Sequence, residues 1–115
     1  MTRTPQETFT HHAQALAAGD LEQLVADYAD NAVLITPRGV VRGRDGVRAA
    51  FVQLFDDLPD ATWHLKTQIY EDDVLFLEWT AESAGNRLAE GVDTFVFQGG
   101  MIRAQTVRYS VRSKT

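Results

Sequence analysis

The sequence predicts an α+β fold in which three N-terminal helices cover one face of a curved, mostly antiparallel sheet. Apolar residues recur with a helical period up to residue 58 and with a period of 2 from about residue 60. Three clusters of turn-forming residues then cut the second half into runs of strand length. A chain of 115 residues, 44% hydrophobic and 23% charged, has the size and composition of one globular domain, read as residues 1–115.

Phe9, His12, Ala13 and Leu16 place a first helix over about 5–18, closed by Gly19, with Asp20 as the next N-cap. Leu21, Leu24, Val25 and Tyr28 continue the period in a short second helix that Asp30 and Asn31 stop. Residues 32–36 read as a strand ended by Pro37, and 39–43 as a short extended piece between glycines. Asp45 is placed to cap a third helix, whose stripe of Val47, Ala50, Phe51, Leu54, Phe55 and Leu58 ends at Pro59. Four strands follow, over about 61–71, 73–83, 90–98 and 101–112. The turns at 71–73, 84–87 and 98–100 make them an antiparallel meander.

Alternation assigns the faces. Trp63, Leu65, Thr67 and Ile69 share the inner side of their strand, with His64 outward, and Leu75, Leu77, Trp79 and Ala81 form the next inner set. The last two inner sets each contain a polar member: Asp93 beside Phe95 and Phe97, and Gln105 beside Val107, Tyr109 and Val111. His12 lies on the apolar stripe of the first helix, whereas His11, about 100° round, faces water. An ionised Asp in an apolar interior is costly unless it is hydrogen-bonded, paired or protonated in a cavity. Asp93, Gln105 and His12 either satisfy one another in a closed core or line a polar-spotted cavity, and their origin in separate elements favours the cavity.

Sixteen Asp and Glu against eleven Lys and Arg, a net charge of −5, exclude a general attraction to nucleic acid or anionic lipid. Without cysteine there are no disulfides, thiolate metal sites or thiol nucleophiles. No signal-like or membrane-length apolar run is present, and a cytoplasmic location is expected. His11 and His12 diverge on their helix and no metal-ligand spacing occurs, so no metal and no cofactor is expected. No Gly-x-Ser-x-Gly elbow is present, and the glycine pairs lack the strand-to-helix setting of a phosphate loop.

The stretch from His12 to Leu21, with Val25–Val33, Pro37-Arg38-Gly39, Gly43–Arg48 and Gly91–Ile102, resembles the nuclear transport factor 2-like superfamily, in its SnoaL-like and ketosteroid isomerase-like branch. The resemblance implies a conical α+β barrel, a cystatin-like roll with a bent sheet around the helices, an apolar pocket between them, and dimerisation through the sheet. The same fold hosts isomerases, cyclases, dehydratases and plain binding modules. Compared with ketosteroid isomerase, the protonated oxyanion-binding Asp falls on Asp93 and the oxyanion-hole tyrosine on His12. The general-base Asp falls on Thr36, whose hydroxyl cannot abstract a carbon-bound proton near neutral pH. Steroid isomerisation by that route is therefore not expected.

Two functional readings follow. In the first, a proton-transfer enzyme acts on a small, largely apolar carbonyl compound. Asp93 donates to the developing oxyanion, His12 is its partner or base, Gln105, Tyr28 and Thr36 orient the substrate, and Phe51, Phe55, Trp63, Trp79, Phe95 and Tyr109 form the binding walls. In the second, the chain is a non-catalytic ligand-binding or scaffold dimer in which His12 and Asp93 form a structural ion pair. Either way Val74, Phe76 and Val96 fall on the outer sheet face and call for cover by a second copy.

Overall fold

In the computed structural model, which describes residues 2–114, the first helix α1 spans Pro5–Ala18. Its start is a capping box: Thr4 accepts from the Glu7 amide at 3.1 Å and Glu7 accepts from the Thr4 amide at 2.8 Å. Gly19 ends it in the left-handed conformation, φ 66°, which lets its amide reach the Leu16 carbonyl. Helix α2 spans Leu21–Ala26 and is capped by Asp20. It is shorter than its sequence pattern implies, because Tyr28 already belongs to strand β1, Tyr28–Thr36. Asp30 and Asn31 fall in a register shift of that strand and do not end a helix.

Strand β2, Gly39–Arg42, folds back on β1, and helix α3, Gly43–Asp57, follows at once. Asp45 sits in the first turn of α3, where it complements the helix dipole; the N-cap is Arg42, with no side-chain cap. The meander is β3 (Thr62–Glu71), β4 (Val74–Glu82), β5 (Asn86–Gln98) and β6 (Met101–Ser113). The strand order is β2-β1-β6-β5-β4-β3. All neighbours are antiparallel except β1 and β6, which run parallel. The fold is α+β, with three helices against a mixed six-stranded sheet whose two edges stay open.

Two bulges correct the face assignment. Leu65 pairs with Trp79 but Thr67 pairs with Glu78, so the extra residue Lys66 inverts the rest of β3. Beyond it Tyr70 faces Leu75 on the inner side, and Ile69 and Thr67 turn outward, Ile69 being 59% exposed. In β5 the register slips between Ala89 and Val92, and Glu90 adopts a left-handed φ of 59°. That slip hides the first four residues of the strand from an alternation count. Val111, read as inward, is 38% exposed near the end of β6.

The core lies between the helices and the concave sheet face, with Phe9 of α1 edge-on to Phe95 at 5.5 Å and Phe51 of α3 6.1 Å from Tyr28. Among the described residues no helix is long and apolar enough to cross a membrane. Gly91 has a specific duty in this core: a Cβ there would stand 2.5 Å from the Trp79 ring, so only glycine lets the indole lie across β5. Gly91→Ala is expected to cost about 1–3 kcal/mol through overpacking, read as a lower midpoint in thermal or urea unfolding.

Candidate functional site

Diagonal neighbours on the inner sheet face build the site. Asp93 stands opposite Leu77 and Val107, while Trp79 stands opposite Gly91 and Gln105 opposite Phe95. Trp79 and Gln105 are therefore each one diagonal step from Asp93, within reach of long side chains. Trp79 Nε1 donates to Asp93 Oδ1 at 2.8 Å, and Gln105 Nε2 donates to Oδ2 at 2.7 Å. Behind them the Tyr28 hydroxyl donates to Gln105 Oε1, which fixes the amide with its NH2 toward Asp93. Tyr28 and Gln105 form a directed chain onto one oxygen of the carboxyl group, and Trp79 meets the other.

Burial pushes the Asp93 carboxyl up to about 7, although the bonds from Trp79 and Gln105 pull it down. Tyr28 is raised well above its ordinary value, by burial first and then by Asp93 and Asp27, so it stays a phenol donor. His12, 3% exposed, is lowered to about 4 by burial and by the neighbouring His11, so its imidazole is neutral. Its ring packs edge-on against Tyr28, Phe51 and Phe95 at 5.5–5.9 Å, and Nδ1 is enclosed without a hydrogen-bond partner.

Asp93, His12, Gln105, Thr36, Phe51, Trp79, Phe95 and Tyr109 all line one cavity between α1, α3 and the sheet. Phe9, Leu16, Leu34, Leu54 and Leu77 are among its apolar walls. Measured over the positions open to the centre of a water-sized sphere, it holds about 80 Å³, against the roughly 10–15 Å³ that one water requires. Tyr28 is on no part of that surface: it is fully buried behind Gln105 and acts on Asp93 only through it. Phe55 and Trp63 line a neighbouring groove instead. Phe9 was legible as a lining residue, since it lies one turn before His12 on the same stripe.

The structural ion pair between His12 and Asp93 is absent. Asp93 takes its bonds from Trp79 and Gln105, and a neutral imidazole cannot serve as its counter-ion. The histidine that is paired is His11. It does not point freely to water: Nδ1 lies 2.7 Å from Asp27 Oδ2, Arg3 donates to the same carboxylate at 2.9 Å, and Nε2 is 3.1 Å from Gln23 Oε1. Asp27 is 2% exposed, and a carboxylate so buried needs these partners. Among the described residues no three His, Asp or Glu side chains converge as metal ligands.

A half-open mixed sheet thus packs against three helices around a small cavity with polar groups at its wall. The chain belongs to the SnoaL-like domain family, whose pattern it matches over residues 9–105. Solved structures show the same fold. An NTF-2 like protein of unknown function from Burkholderia xenovorans aligns with a TM-score of 0.78 at 23% identity, over 92% of this chain and 82% of its own. IdmH of Streptomyces antibioticus, described as a candidate polyketide cyclase, aligns at 0.77 and 17% identity, over 94% of this chain and 93% of its own. An uncharacterized cystatin fold protein from Novosphingobium aromaticivorans aligns at 0.75 and 18% identity, over 92% and 98%. A search of curated proteins finds no match.

The two buried groups drive stability in opposite directions. Folded Asp93 keeps its proton to about 7 and the unfolded side chain to 3.8, so it makes stability fall as pH rises between those values. Folded His12 stays neutral down to about 4 while the unfolded ring protonates at 6.5, so it makes stability fall as pH drops through that window. Each contributes a slope of about 1.4 kcal/mol per pH unit, and from about pH 4 to 6.5 the two cancel. Urea unfolding across this range should show His12→Phe losing stability as pH rises and Asp93→Asn gaining it, relative to the wild-type profile.

Proposed function

We propose that the cavity binds a small, largely apolar carbonyl compound and that Asp93 is its general acid and base. The observation that supports this most strongly is a carboxyl group 4% exposed, held from both sides and shifted to about 7, at the wall of an otherwise apolar cavity. Protonated, it is a hydrogen-bond donor for a developing oxyanion in the cavity. Ionised, it is a base tuned to neutral pH. His12, at about 4, is too weakly basic to take a carbon-bound proton, and its neutral ring serves as part of the cavity wall. Thr36 and Tyr109 orient the ligand, and Phe51, Trp79 and Phe95 hold it by contact.

Such a site suits enolisation: a proton moves from the carbon beside the carbonyl to Asp93, the freed electron pair forms the carbon–carbon double bond, and the carbonyl oxygen takes the displaced charge. Isomerase, cyclase and dehydratase-like reactions share that step. The reading as a non-catalytic binding module has one observation on its side, the threonine at position 36 where a second carboxylate would complete a base. The whole chain acts as one domain in this proposal, and a cytoplasmic setting agrees with the absence of cysteine.

Exchange of the α-protons of 2-tetralone in D2O, followed by NMR, separates the two readings. The wild-type protein is expected to accelerate exchange and Asp93→Asn to lose about 100-fold or more of that acceleration. Binding of the ketone without acceleration would establish the binding module instead.

The outer face of the sheet supports a homodimer. The register aligns Ile69, Phe76, Thr94, Thr106, Ile35 and Val40 in one rank across all six strands, with Val74 and Val96 beside it. All six of those apolar side chains, Ile35, Val40, Ile69, Val74, Phe76 and Val96, are exposed to an extent that an isolated chain leaves uncovered. Sedimentation at micromolar concentration should give a dimer for the wild type and a monomer for Phe76→Glu; a monomeric wild type would overturn the assignment.

A further inference from the structure

The cavity is small for a ligand, and a roomier hollow adjoins it. A groove lies between the C-terminal ends of α1 and α3 and the start of β3, walled by Phe55, Leu58, Pro59, Ala61 and Trp63, with about 320 Å³ on the measure that gives the cavity about 80 Å³. The two hollows share one wall, Leu16, whose side chain borders both. Two aromatic pairs also cross the partition. Phe51 of the cavity lies 6.5 Å from Phe55 of the groove, and Trp79 of the cavity lies 5.5 Å from Trp63. Each pair sets a ring of one hollow beside a ring of the other. The shared Leu16 is partly buried, and its side chain has several rotamers.

We infer that cavity and groove are two chambers of one binding site and that the ligand is elongated: a compact carbonyl head against Asp93 and an uncharged apolar tail past Leu16 along Trp63. This rests on the reading of the cavity as the ligand site and adds the shape and charge of what it takes. The charge follows from the groove's ends. Ala17, Ala18 and Gly19 close α1 there, Leu58 and Pro59 follow the end of α3, and neither last turn carries a basic residue. Both helices thus turn their negative ends to the groove, and Asp60 adds a carboxylate. No Lys or Arg borders either hollow to offset them. An anionic tail is therefore rejected, whereas a long neutral one replaces water against Trp63 and Phe55.

One indole in each chamber makes the test direct. In 15N-labelled protein the two indole N–H resonances are assigned with Trp63→Phe, which leaves Trp79 alone. Acetophenone should shift the Trp79 resonance only, and hexanophenone both. Hexanophenone should bind at least about tenfold more tightly, since its extra methylenes leave water. The same ketone with a terminal carboxylate should lose that gain. If hexanophenone shifts Trp79 alone and binds no better than acetophenone, the second chamber is wrong while the cavity reading stands. If the carboxylate binds as well as hexanophenone, the charge selection is wrong. If acetophenone shifts neither indole at millimolar concentration, the cavity reading fails and takes this inference with it.

Discussion

One carboxyl group organises the interior. Asp93 is held by an indole from β4 and an amide from β6, and the amide is itself held by a phenol from β1. Three strands on both sides of β5 therefore depend on one polar centre. Burying such a group without partners would cost several kcal/mol, and with partners it cross-links the sheet in a direction the backbone ladder does not. Both of its oxygens accept from the sheet, one from Trp79 and one from Gln105. The glycine at 91 lets one of these donors arrive, since a Cβ there would meet the Trp79 ring.

Much of the fold was legible because its signals are local. The helical stripe around Phe9, the glycine after α1, the proline after α3 and the hairpin turns at 72 and 99 all act within a few residues. Asp93 and Gln105 stood out because each interrupts an apolar alternation, and His12 because it lies on a buried stripe. The bulges at Lys66 and Glu90 were not legible, since an extra residue leaves no mark in composition. They moved Ile69 from the inner face to the outer one and lengthened β5 by four residues. Tyr28 was visible as an apolar-face residue but not as a strand residue, because its place in β1 is set by pairing with Ile102, far along the chain.

The histidine pair shows how far identical residues diverge by placement. His11 and His12 are neighbours on α1, yet one shares a buried carboxylate with Arg3 and the other has an unpartnered nitrogen in an aromatic nest. The difference is the rotation between consecutive helical residues, which aims one ring at the junction of α2 with β1 and the other at the sheet. Sequence spacing identified His12 as the inward one. It could not supply the partner of His11, which comes from a different helix end.

The parallel junction of β1 with β6 bears on how the molecule is made. A strand from the first third of the chain finds its second neighbour, beyond the adjacent β2, only in the last third. While the polypeptide is being synthesised, α1, α3 and β1 emerge with their oily sides uncovered, and the surface that will receive them is translated afterwards. Such an order of manufacture leaves those faces uncovered until the final hairpin has cleared the ribosome.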